Sequence, residues 1–575
     1  MKRLFFLSLA FILAFMLISC DSGNTGDFKI KLKLPIDYDG VCNDLDEEYD
    51  HTYCINDSDQ VMLSIYSKSN IADEYVYADR KLIKVTNNNG GKEEFIRSLK
   101  KGAYYRFFVE VTNSNEKLKL TGGIDGVLYD DKENYDVDIF LAPVGDFARV
   151  VSDRNNVSKS SLESYFDDSG SKGAASVALK DGRIYLAGGY DLEEDDVSKK
   201  AVIFDMQSIS KNDVKDLPAR LYDHVAALLD DGGETGKVVV GLGTTEDDAL
   251  NDSVWVFDPN SGKYDMLALG ASAMTKAKAI TIDGDAYIVG GCTEGGASSS
   301  VYKISAKNGS VVAELFATLK TGRCNHAIAD VSKVSVDENG VKTVTPRILV
   351  IGGSTDYKNE GKETPVLGEN FAELVTQGAS SPMAIADRNG GDDSNLKETG
   401  LIAPAAVGVV MDDKEEDETV VAVLGGYLRS GDSDNASWVS NPSLFVFSEK
   451  GENALVYDKN GTANECARPS AARLGSEEKS VLKYVAVNCG TEEIGRTNKN
   501  SSAQIVFVLQ VKRVKDSSLG IEVFSSSVKD SLMDENQDPE SDAVIIDGPV
   551  VADSLGQVFM LGGRYVYQVG SYAVP

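Results

Sequence analysis

The chain has 575 residues and is strongly acidic, with 90 aspartate and glutamate residues against 58 lysine and arginine residues and a formal net charge of −32 at pH 7. This charge argues against nucleic acid as a partner, because the phosphates would be repelled, and against a basic surface for anionic lipid. The length allows two or three domains, or one large repeat domain beside a smaller one.

The first residues predict an export signal. A short basic start is followed by an apolar stretch over residues 4–18, which is too short to span a bilayer comfortably. The stretch ends in Leu17-Ile18-Ser19-Cys20, which resembles a bacterial lipobox, in which the signal peptide is cut before the cysteine and the thiol is diacylated. The alternative is an ordinary signal peptide followed by a stray cysteine.

The lipobox resemblance implies residues 1–19 as a signal peptide and 20–26 as the lipidated Cys20 with its polar tether. The mature chain is then expected to be exported and held at the cell envelope by its lipid. We expect the outer membrane or the cell surface rather than the inner membrane. No other segment of the sequence is long and apolar enough to suggest a membrane span.

Residues 27–141 are predicted to form an all-β domain. Residues 28–34 alternate apolar and charged side chains, as in a strand with one buried face. Further short strands are predicted around residues 61–67, 81–85, 104–112, 118–121 and 135–141. Several strands without a convincing helix favour an antiparallel β-sandwich, either immunoglobulin-like or transthyretin-like.

Residues 142–575 contain a repeat. Seven apolar runs each end in a glycine pair or a glycine-containing stop, at residues 184–189, 238–243, 286–291, 348–353, 420–426, 484–490 and 558–563. Each run is predicted to be the second strand of a repeat, covered on both faces because it is apolar at successive positions. Asp-Gly signals such as Asp283-Gly284 predict tight turns between the first and second strands.

The repeats resemble those of kelch-type β-propellers. The resemblance rests on the glycine pairs and on phrases that open the first strands, such as Arg220-Leu-Tyr-Asp-His224 and Thr321-Gly-Arg-Cys-Asn-His326. It implies a seven-bladed propeller over residues 142–575. We also expect residues 147–151, a strand without a partner, to join the last repeat and close the propeller, because this leaves no unpaired edge.

Six cysteines remain beside Cys20, and an even number in an exported protein suggests disulfides. The pairings local in sequence are Cys42 with Cys54, Cys292 with Cys324, and Cys466 with Cys489. None has the Cys-x-x-Cys spacing of a zinc site.

The sequence gives no clear catalytic constellation. His224 and His326 hold equivalent positions in two repeats, which predicts structural hydrogen bonds rather than a copper site. Four arginines near strand starts could point into a central channel, although pairing with the abundant carboxylates is favoured; they are Arg183, Arg220, Arg323 and Arg347.

One acidic segment is patterned like a calcium loop. Oxygen-bearing side chains occupy positions 1, 3, 5 and 9 of residues 534–542, namely Asp534, Asn536, Asp538 and Asp542. The segment resembles the calcium loops of integrin-type propellers, with Pro539 where glycine is usual. The alternative is an acidic connection without a ligand. No cofactor is otherwise required.

The sequence favours a non-enzymatic role, in which the propeller binds a protein or a glycan at the envelope, because its loops are long and variable. The competing hypothesis is a carbohydrate-active enzyme, either epimerase- or mutarotase-like or oxidase-like, with its site in the channel. A channel lined by arginine, glutamate and tyrosine would favour the enzyme, and one lined by small or apolar residues would favour the binding module.

Overall fold

The structure of the chain is a computed structural model. It describes residues 25–33, 54–56, 58–70, 75–83, 95–129, 134–152, 160–165, 171–191, 194–307, 309–338, 341–357, 362–387, 396–413, 416–429, 436–438, 443–447, 453–457, 466–475, 484–490, 505–513, 519–525, 528–529, 548–561 and 565–570. Within these ranges the chain is nearly all β, as predicted, with 59% strand and 3% helix. None of their helices is long and apolar enough to cross a membrane.

The N-terminal unit has eight strands in the part of the chain that the structure describes. They are β1 (Thr25–Lys33), β2 (Gln60–Lys68), β3 (Val76–Ile83), β4 (Phe95–Lys100), β5 (Tyr104–Thr112), β6 (Leu118–Leu128), β7 (Asn134–Phe140) and β8 (Ala142–Pro143). One sheet has the order β4-β1-β7 and the other β3-β2-β5-β6-β8. Both sheets contribute to one core, in which Ile30 and Val137 of the first sheet join Leu63 and Phe107 of the second.

The expectation of a purely antiparallel unit is wrong at one place. Strand β1 pairs antiparallel with β4 but parallel with β7. The alternating pattern of β1 correctly marks Ile30 and Leu32 as buried. Such a pattern fixes which face of a strand is buried, but it carries no information on the direction of the neighbouring strand.

The described residues of the repeat region form 39 further strands, numbered along the chain. The first eighteen are β9 (Phe147–Arg149), β10 (Ser171–Lys172), β11 (Ala175–Ala178), β12 (Ile184–Ala187), β13 (Tyr190–Asp191), β14 (Asp196–Val197), β15 (Ala201–Asp205), β16 (Ser210–Asp213), β17 (Val225–Leu229), β18 (Lys237–Gly241), β19 (Val254–Asp258), β20 (Lys263–Leu267), β21 (Lys278–Ile282), β22 (Asp285–Val289), β23 (Cys292–Thr293), β24 (Gly296–Ala297), β25 (Ser300–Lys307) and β26 (Ser310–Thr318).

The others are β27 (Ala327–Asp330), β28 (Lys333–Val336), β29 (Lys342–Thr345), β30 (Ile348–Ile351), β31 (Ala372–Thr376), β32 (Ala379–Pro382), β33 (Ile385–Asp387), β34 (Ala405–Asp413), β35 (Glu416–Leu424), β36 (Tyr427–Arg429), β37 (Ala436–Trp438), β38 (Ser443–Phe447), β39 (Asn453–Tyr457), β40 (Ala467–Leu474), β41 (Tyr484–Gly490), β42 (Ile505–Arg513), β43 (Leu519–Ser525), β44 (Val528–Lys529), β45 (Val550–Ala552), β46 (Val558–Met560) and β47 (Tyr567–Val569). A 3-10 helix spans Gly368–Phe371, and a short helix, α1, spans Leu396–Thr399.

Seven larger sheets follow one another along the repeat region. In order they are sheet 1 (β11-β12-β15-β16), sheet 2 (β17-β18-β19-β20), sheet 3 (β21-β22-β25-β26), sheet 4 (β27-β30-β31-β32), sheet 5 (β33-β39-β38-β35-β34), sheet 6 (β40-β41-β42-β43) and sheet 7 (β44-β9-β47-β46-β45). We call β11, β17, β21, β27, β34, β40 and β45 the first strands of sheets 1 to 7. Each apolar run identified in the sequence forms the second strand, which is paired with the first, and strands such as β12 and β30 are wholly buried.

Neighbouring sheets pack through their first strands. Each first strand from β11 to β40 contacts that of the next sheet, and β45 of sheet 7 contacts β11 of sheet 1. Backbone hydrogen bonds also join equivalent positions just before the first strands: Lys276 donates to Asp223 (3.1 Å), Asn325 to Lys276 (3.3 Å) and Ala403 to Asn325 (2.7 Å). All four of these residues have a positive φ, so one backbone geometry recurs from sheet 2 to sheet 5.

The two ends of the repeat region meet in sheet 7. Strand β9, which precedes the first repeat, pairs antiparallel with β47, the last strand, in the register Phe147 to Val569 and Arg149 to Tyr567. The predicted pairing of this segment with the last repeat is therefore confirmed. Phe147 and Val569 are both fully buried.

The N-terminal unit contacts the turn between the first and second strands of sheet 7 and, in sheet 1, the turn between the third strand β15 and the fourth strand β16. Gln557, in the turn of sheet 7, accepts a hydrogen bond from Gly123 N–H (2.8 Å) and donates one to Gly123 O (3.1 Å). Ser554 Oγ donates to Asp125 Oδ2 (2.6 Å), and Gln207 of sheet 1 donates to Asp125 O (2.8 Å). We call the ends of the sheets that carry these turns the hairpin face.

We expect Gly123→Val to weaken this junction. A Cβ at Gly123 would lie 2.8 Å from the Phe108 ring and 2.9 Å from Leu555, and overpacking of this kind costs about 1–3 kcal/mol. The matched control is Gly295→Val, where a Cβ meets only Thr293 Oγ1 at 4.0 Å. Thermal unfolding is expected to show a lower midpoint for Gly123→Val only, and equal midpoints for the two variants would contradict the junction.

Candidate functional site

Two of the three predicted disulfides are confirmed. Cys292 bonds to Cys324, with a Cα–Cα distance of 5.1 Å, and Cys466 bonds to Cys489, with a distance of 4.9 Å. Cys54 is also disulfide-bonded, but its predicted partner Cys42 lies outside the described residues. The first bridge joins sheets 3 and 4, and the second lies within sheet 6.

Both disulfides lie at the end of the sheets opposite the hairpin face. Cys292 follows the second strand of its sheet, and Cys324 and Cys466 precede first strands. We call this end, where second strands stop at their glycines, the doublet face. Small additional sheets also brace it, including β10-β13-β14 and the β23-β24 hairpin. Its loops are therefore held together by covalent and backbone bonds.

Five further predicted site residues lie outside the described part of the chain. These are the lipidation residue Cys20 and the four residues of the calcium-like loop, Asp534, Asn536, Asp538 and Asp542. Lipidation and calcium binding therefore both stay predictions from the sequence.

An aromatic and acidic cluster lies on the doublet face at sheets 1 and 2. The rings of Tyr190 and Tyr222 meet edge to face, with centroids 5.5 Å apart. Tyr190 donates a hydrogen bond to Asp195, and Tyr222 OH donates to Asp248 (3.2 Å). The hydrogen bond to Asp195, partial burial and nearby carboxylates raise the pKa of Tyr190 to about 12. Both tyrosines are therefore neutral donors at physiological pH.

One further residue extends this cluster. Burial, followed by the charges of Asp223 and Asp248, raises the pKa of Tyr222 above its ordinary value. Arg220 bridges the loops of two sheets by pairing with Asp196 and with Glu246 (Nε to Oε2, 3.1 Å). We call Tyr190, Tyr222 and the carboxylates that contact these residues the tyrosine cluster.

The tyrosine cluster was not predicted from the sequence. A signal was nevertheless present: Tyr222 lies in the phrase that opens the second repeat, and Tyr190 directly follows the first glycine pair. Both positions are set by the repeat, so they recur at the same end of the sheets. What the sequence could not supply was the contact between different repeats that brings the two rings together.

The arginines proposed for a channel are engaged within the protein. Arg183 Nε pairs with Asp181 (2.7 Å), and Arg220 pairs as described above. Arg323 is fully buried with Glu373 and also donates to the carbonyl oxygens of Gly352 (3.0 Å) and Asn370 (2.7 Å). Arg347 donates to Val331 O (2.9 Å), with its guanidinium 5.2 Å from the centre of the Phe447 ring. Carboxylate pairing, favoured from the sequence, holds for Arg183, Arg220 and Arg323.

The prediction that His224 and His326 are structural residues held by hydrogen bonds is only partly right. His224 and His326 are buried, with 8% and 0% exposure, as structural residues of the repeat should be. Neither ring has a hydrogen-bond partner among the described residues, so the expected hydrogen bonds are wrong. The imidazoles instead lie over the first glycines of the neighbouring pairs, Gly188 and Gly290. Burial lowers the pKa of His224 to about 4 and that of His326 well below its ordinary value.

These two histidines predict a loss of stability in acid. A buried neutral histidine contributes stability that is present above its unfolded pKa of 6.5 and is lost as the pH falls toward its folded value. For His224, with a folded pKa of about 4, this amounts to about 3 kcal/mol, since each unit of pKa corresponds to about 1.4 kcal/mol. Urea unfolding of the wild type and of His224→Gln/His326→Gln should therefore give free-energy profiles that converge between pH 6.5 and 4. Profiles that stay parallel would contradict this.

The first strands of the seven sheets carry mostly small or apolar side chains. Partly exposed positions include Ser176, Ala226, Ala279, Ala471 and Val551. The charged residues of these strands lie at or next to strand ends, as Lys278 does at the start of β21 and Asp330 at the end of β27. Within the described residues, the first strands therefore bring together no set of arginine, glutamate and tyrosine.

Comparisons with known proteins leave the family open. No protein-family model matches the sequence, and no curated protein matches it. Among solved structures, 203 chains match; one, described as "Structure of YjhT", has 11% sequence identity and a TM-score of 0.34, covering 60% of this chain and 94% of that chain. At that TM-score the likeness carries no argument about fold or function.

Proposed function

We propose that the seven sheets are the blades of a closed, kelch-like β-propeller that follows an N-terminal β-sandwich. Three observations support this architecture. Successive first strands contact one another and β45 contacts β11, the strand before the first repeat pairs with the last strand of the chain, and glycines with positive φ follow the second strands, as at Gly188 and Gly189. Pairing the two chain ends removes the free edges that a row of seven sheets would otherwise expose.

We further propose that the protein is a lipid-anchored envelope protein that uses the doublet face to bind a protein or a glycan. The observation that carries this proposal is the contrast between the first strands, with small and apolar side chains, and the tyrosine cluster at the doublet face. Tyrosine combines a large, rigid apolar surface with a hydrogen-bonding hydroxyl, which suits recognition of either partner. The first-strand residues favour binding over catalysis in the channel.

The binding proposal is tested with the full chain on a glycan array and as bait for envelope proteins. We expect a specific glycan or protein to be bound, and Tyr190→Ala/Tyr222→Ala to weaken that binding at least tenfold. The matched control is Tyr77→Ala, because Tyr77 is 54% exposed on the N-terminal unit, away from the doublet face. Absence of any specific ligand, or equal binding by the three proteins, would contradict the proposal.

Lipid anchoring gives a separate prediction. Cys20→Ala should abolish incorporation of a palmitate analogue and release the protein from the membrane fraction, because no other residue supplies the thioether. Cys54→Ala is the control, since Cys54 is buried and disulfide-bonded and should retain the label. Label retained by Cys20→Ala would contradict the lipoprotein assignment.

A further inference from the structure

A cleft of about 300 Å³ separates the N-terminal unit from the hairpin face of sheets 1 and 2. It lies at the opposite end of the sheets from the tyrosine cluster. The N-terminal unit and the two repeat sheets both contribute to its walls, which are formed by Lys68, Tyr75, Tyr104, Asp125, Gly126, Leu128, Lys180, Asp181, Arg183, Asp205, Gln207 and Glu234. Its volume is at the lower end of the range of small-molecule sites.

The walls of the cleft are held in place by contacts that cross it or lie behind it. Tyr104 OH of the N-terminal unit donates to Glu234 of sheet 2 (2.7 Å). In the wall itself, Asp125 accepts hydrogen bonds from Arg106 (2.9 Å) and Ser554 (2.6 Å), which lie behind it. Burial alone would raise the pKa of Asp125, but Arg106 lowers it, so the carboxylate stays ionised. A ligand would therefore enter a site whose shape is already formed, which reduces the entropic cost of binding.

The carboxylates of the cleft are each engaged with a donor of the protein. Asp181 accepts a hydrogen bond from Arg183 Nε (2.7 Å), and Asp205 accepts one from the backbone N–H of Gln207 (2.9 Å). With Asp125 and Glu234, four acidic groups face three basic ones, Lys68, Lys180 and Arg183. This balance of charge disfavours the binding of an anion. The pairing of the carboxylates disfavours the binding of a metal ion, and no group of three His, Cys, Asp or Glu side chains that could hold a metal occurs among the residues that the structure describes.

Hydrogen-bonding capacity nevertheless remains at the walls. Within the described residues, Arg183 uses only its Nε, which leaves its two terminal nitrogens as donors. Lys180 contributes one bond, to Asp230 (2.7 Å), and has further protons to donate. Glu234 accepts from Tyr104 through Oε1, and its second oxygen is an acceptor. The walls therefore carry both donors and acceptors, and Tyr104 and Leu128, which are paired across β5 and β6, add a small apolar patch.

We propose that this cleft binds a neutral saccharide. Each sugar hydroxyl both donates and accepts a hydrogen bond, so it matches walls on which both kinds of group are spread. The C–H face of a sugar ring suits the ring of Tyr104 and the side chain of Leu128, which is 40% exposed. The site is separate from the doublet face and does not depend on the function proposed for that face.

Saturation-transfer NMR on the full chain tests this proposal with four neutral disaccharides: maltose, cellobiose, lactose and N,N′-diacetylchitobiose. We expect at least one to bind saturably. Leu128→Trp, which fills the cleft, and Arg183→Met, which removes its donors, should each weaken that binding at least tenfold. The matched control is Leu315→Trp, because Leu315 is 60% exposed on the outer strand of sheet 3. Melting temperatures verify that the variants are folded.

The other outcomes overturn the proposal. They are no binding of any of the four disaccharides, binding of glucuronic acid alone, or unchanged binding by both cleft variants. Binding that is lost in Tyr190→Ala/Tyr222→Ala but kept in Leu128→Trp would place the sugar at the tyrosine cluster. That result would overturn the cleft site while supporting the function proposed for the doublet face.

Discussion

Removal of the residues after Gly563 is expected to abolish cooperative folding of the repeat region. The truncation deletes β47, whose three residues are buried, together with the buried Tyr565 and Val566. Burial of one large apolar side chain contributes about 1.5–3 kcal/mol, so the loss is comparable with the whole stability of a typical domain. It also leaves β9 and β46 with unpaired edges, which promotes aggregation. Calorimetry and size-exclusion chromatography measure both effects.

The matched control for this truncation ends the chain after Gly570. It keeps β47 and the contact between Val144 and Gly570, and we expect it to melt like the intact protein. A chain truncated after Gly563 that melts at the same temperature as this control would contradict a role for β47 in holding the repeat region together.

Glu373→Gln is expected to destabilise the protein more than Gly123→Val does. Glu373 and Arg323 are both fully buried, and Glu373 also accepts hydrogen bonds from the backbone N–H of Lys320 (2.7 Å) and Thr321 (3.2 Å). Neutralising Glu373 leaves the Arg323 charge buried without a counter-ion, and breaking such a pair costs about 3–5 kcal/mol. Urea unfolding at pH 7 measures the change in the free energy of unfolding.

A double-mutant cycle separates the coupling energy between Arg323 and Glu373 from the contributions of their other contacts. Arg323→Met alone should also destabilise, because the carbonyl oxygens of Gly352 and Asn370 lose a donor. The double variant Arg323→Met/Glu373→Gln should lose less than the sum of the two single changes, since neither charge is then left unpaired. Glu314→Gln, in an exposed pair with Lys307, is the control and should change little. Strict additivity at the buried pair would contradict this coupling.

The sequence predicts the repeated strands well because their signals are local. Each apolar run and its glycines lie within a few residues of one another, and burial on both faces follows directly from the unbroken apolar pattern. The disulfides between Cys292 and Cys324 and between Cys466 and Cys489 could also be predicted from the sequence, because the two cysteines of each pair are only 32 and 23 residues apart.

Contacts between distant parts of the chain were not predictable in the same way. Gln557 meets Gly123 across more than four hundred residues, and no local pattern marks either residue. Glu373 is a charged residue within a largely apolar strand, and it is fully buried because it pairs with Arg323, which lies 50 residues earlier in the chain. The parallel partner of β1 was missed for the same reason. The tyrosine cluster and the cleft both depend on such contacts, so the structure was needed to find them.

The closure that we propose, a ring of seven blades completed by the two ends of the repeat region, is tested most directly by a designed cross-link. Ala148 of β9 lies opposite Gln568 of β47, so Ala148→Cys/Gln568→Cys should form a disulfide, detected by mass spectrometry of unreduced peptides. We expect this bond in nearly all molecules and a higher melting temperature, because the bond closes a very long loop in the unfolded chain. Ala148→Cys with Met266→Cys, on the exposed outer strand of sheet 2, should remain unbridged. Free thiols at positions 148 and 568 in the folded protein would contradict the closure.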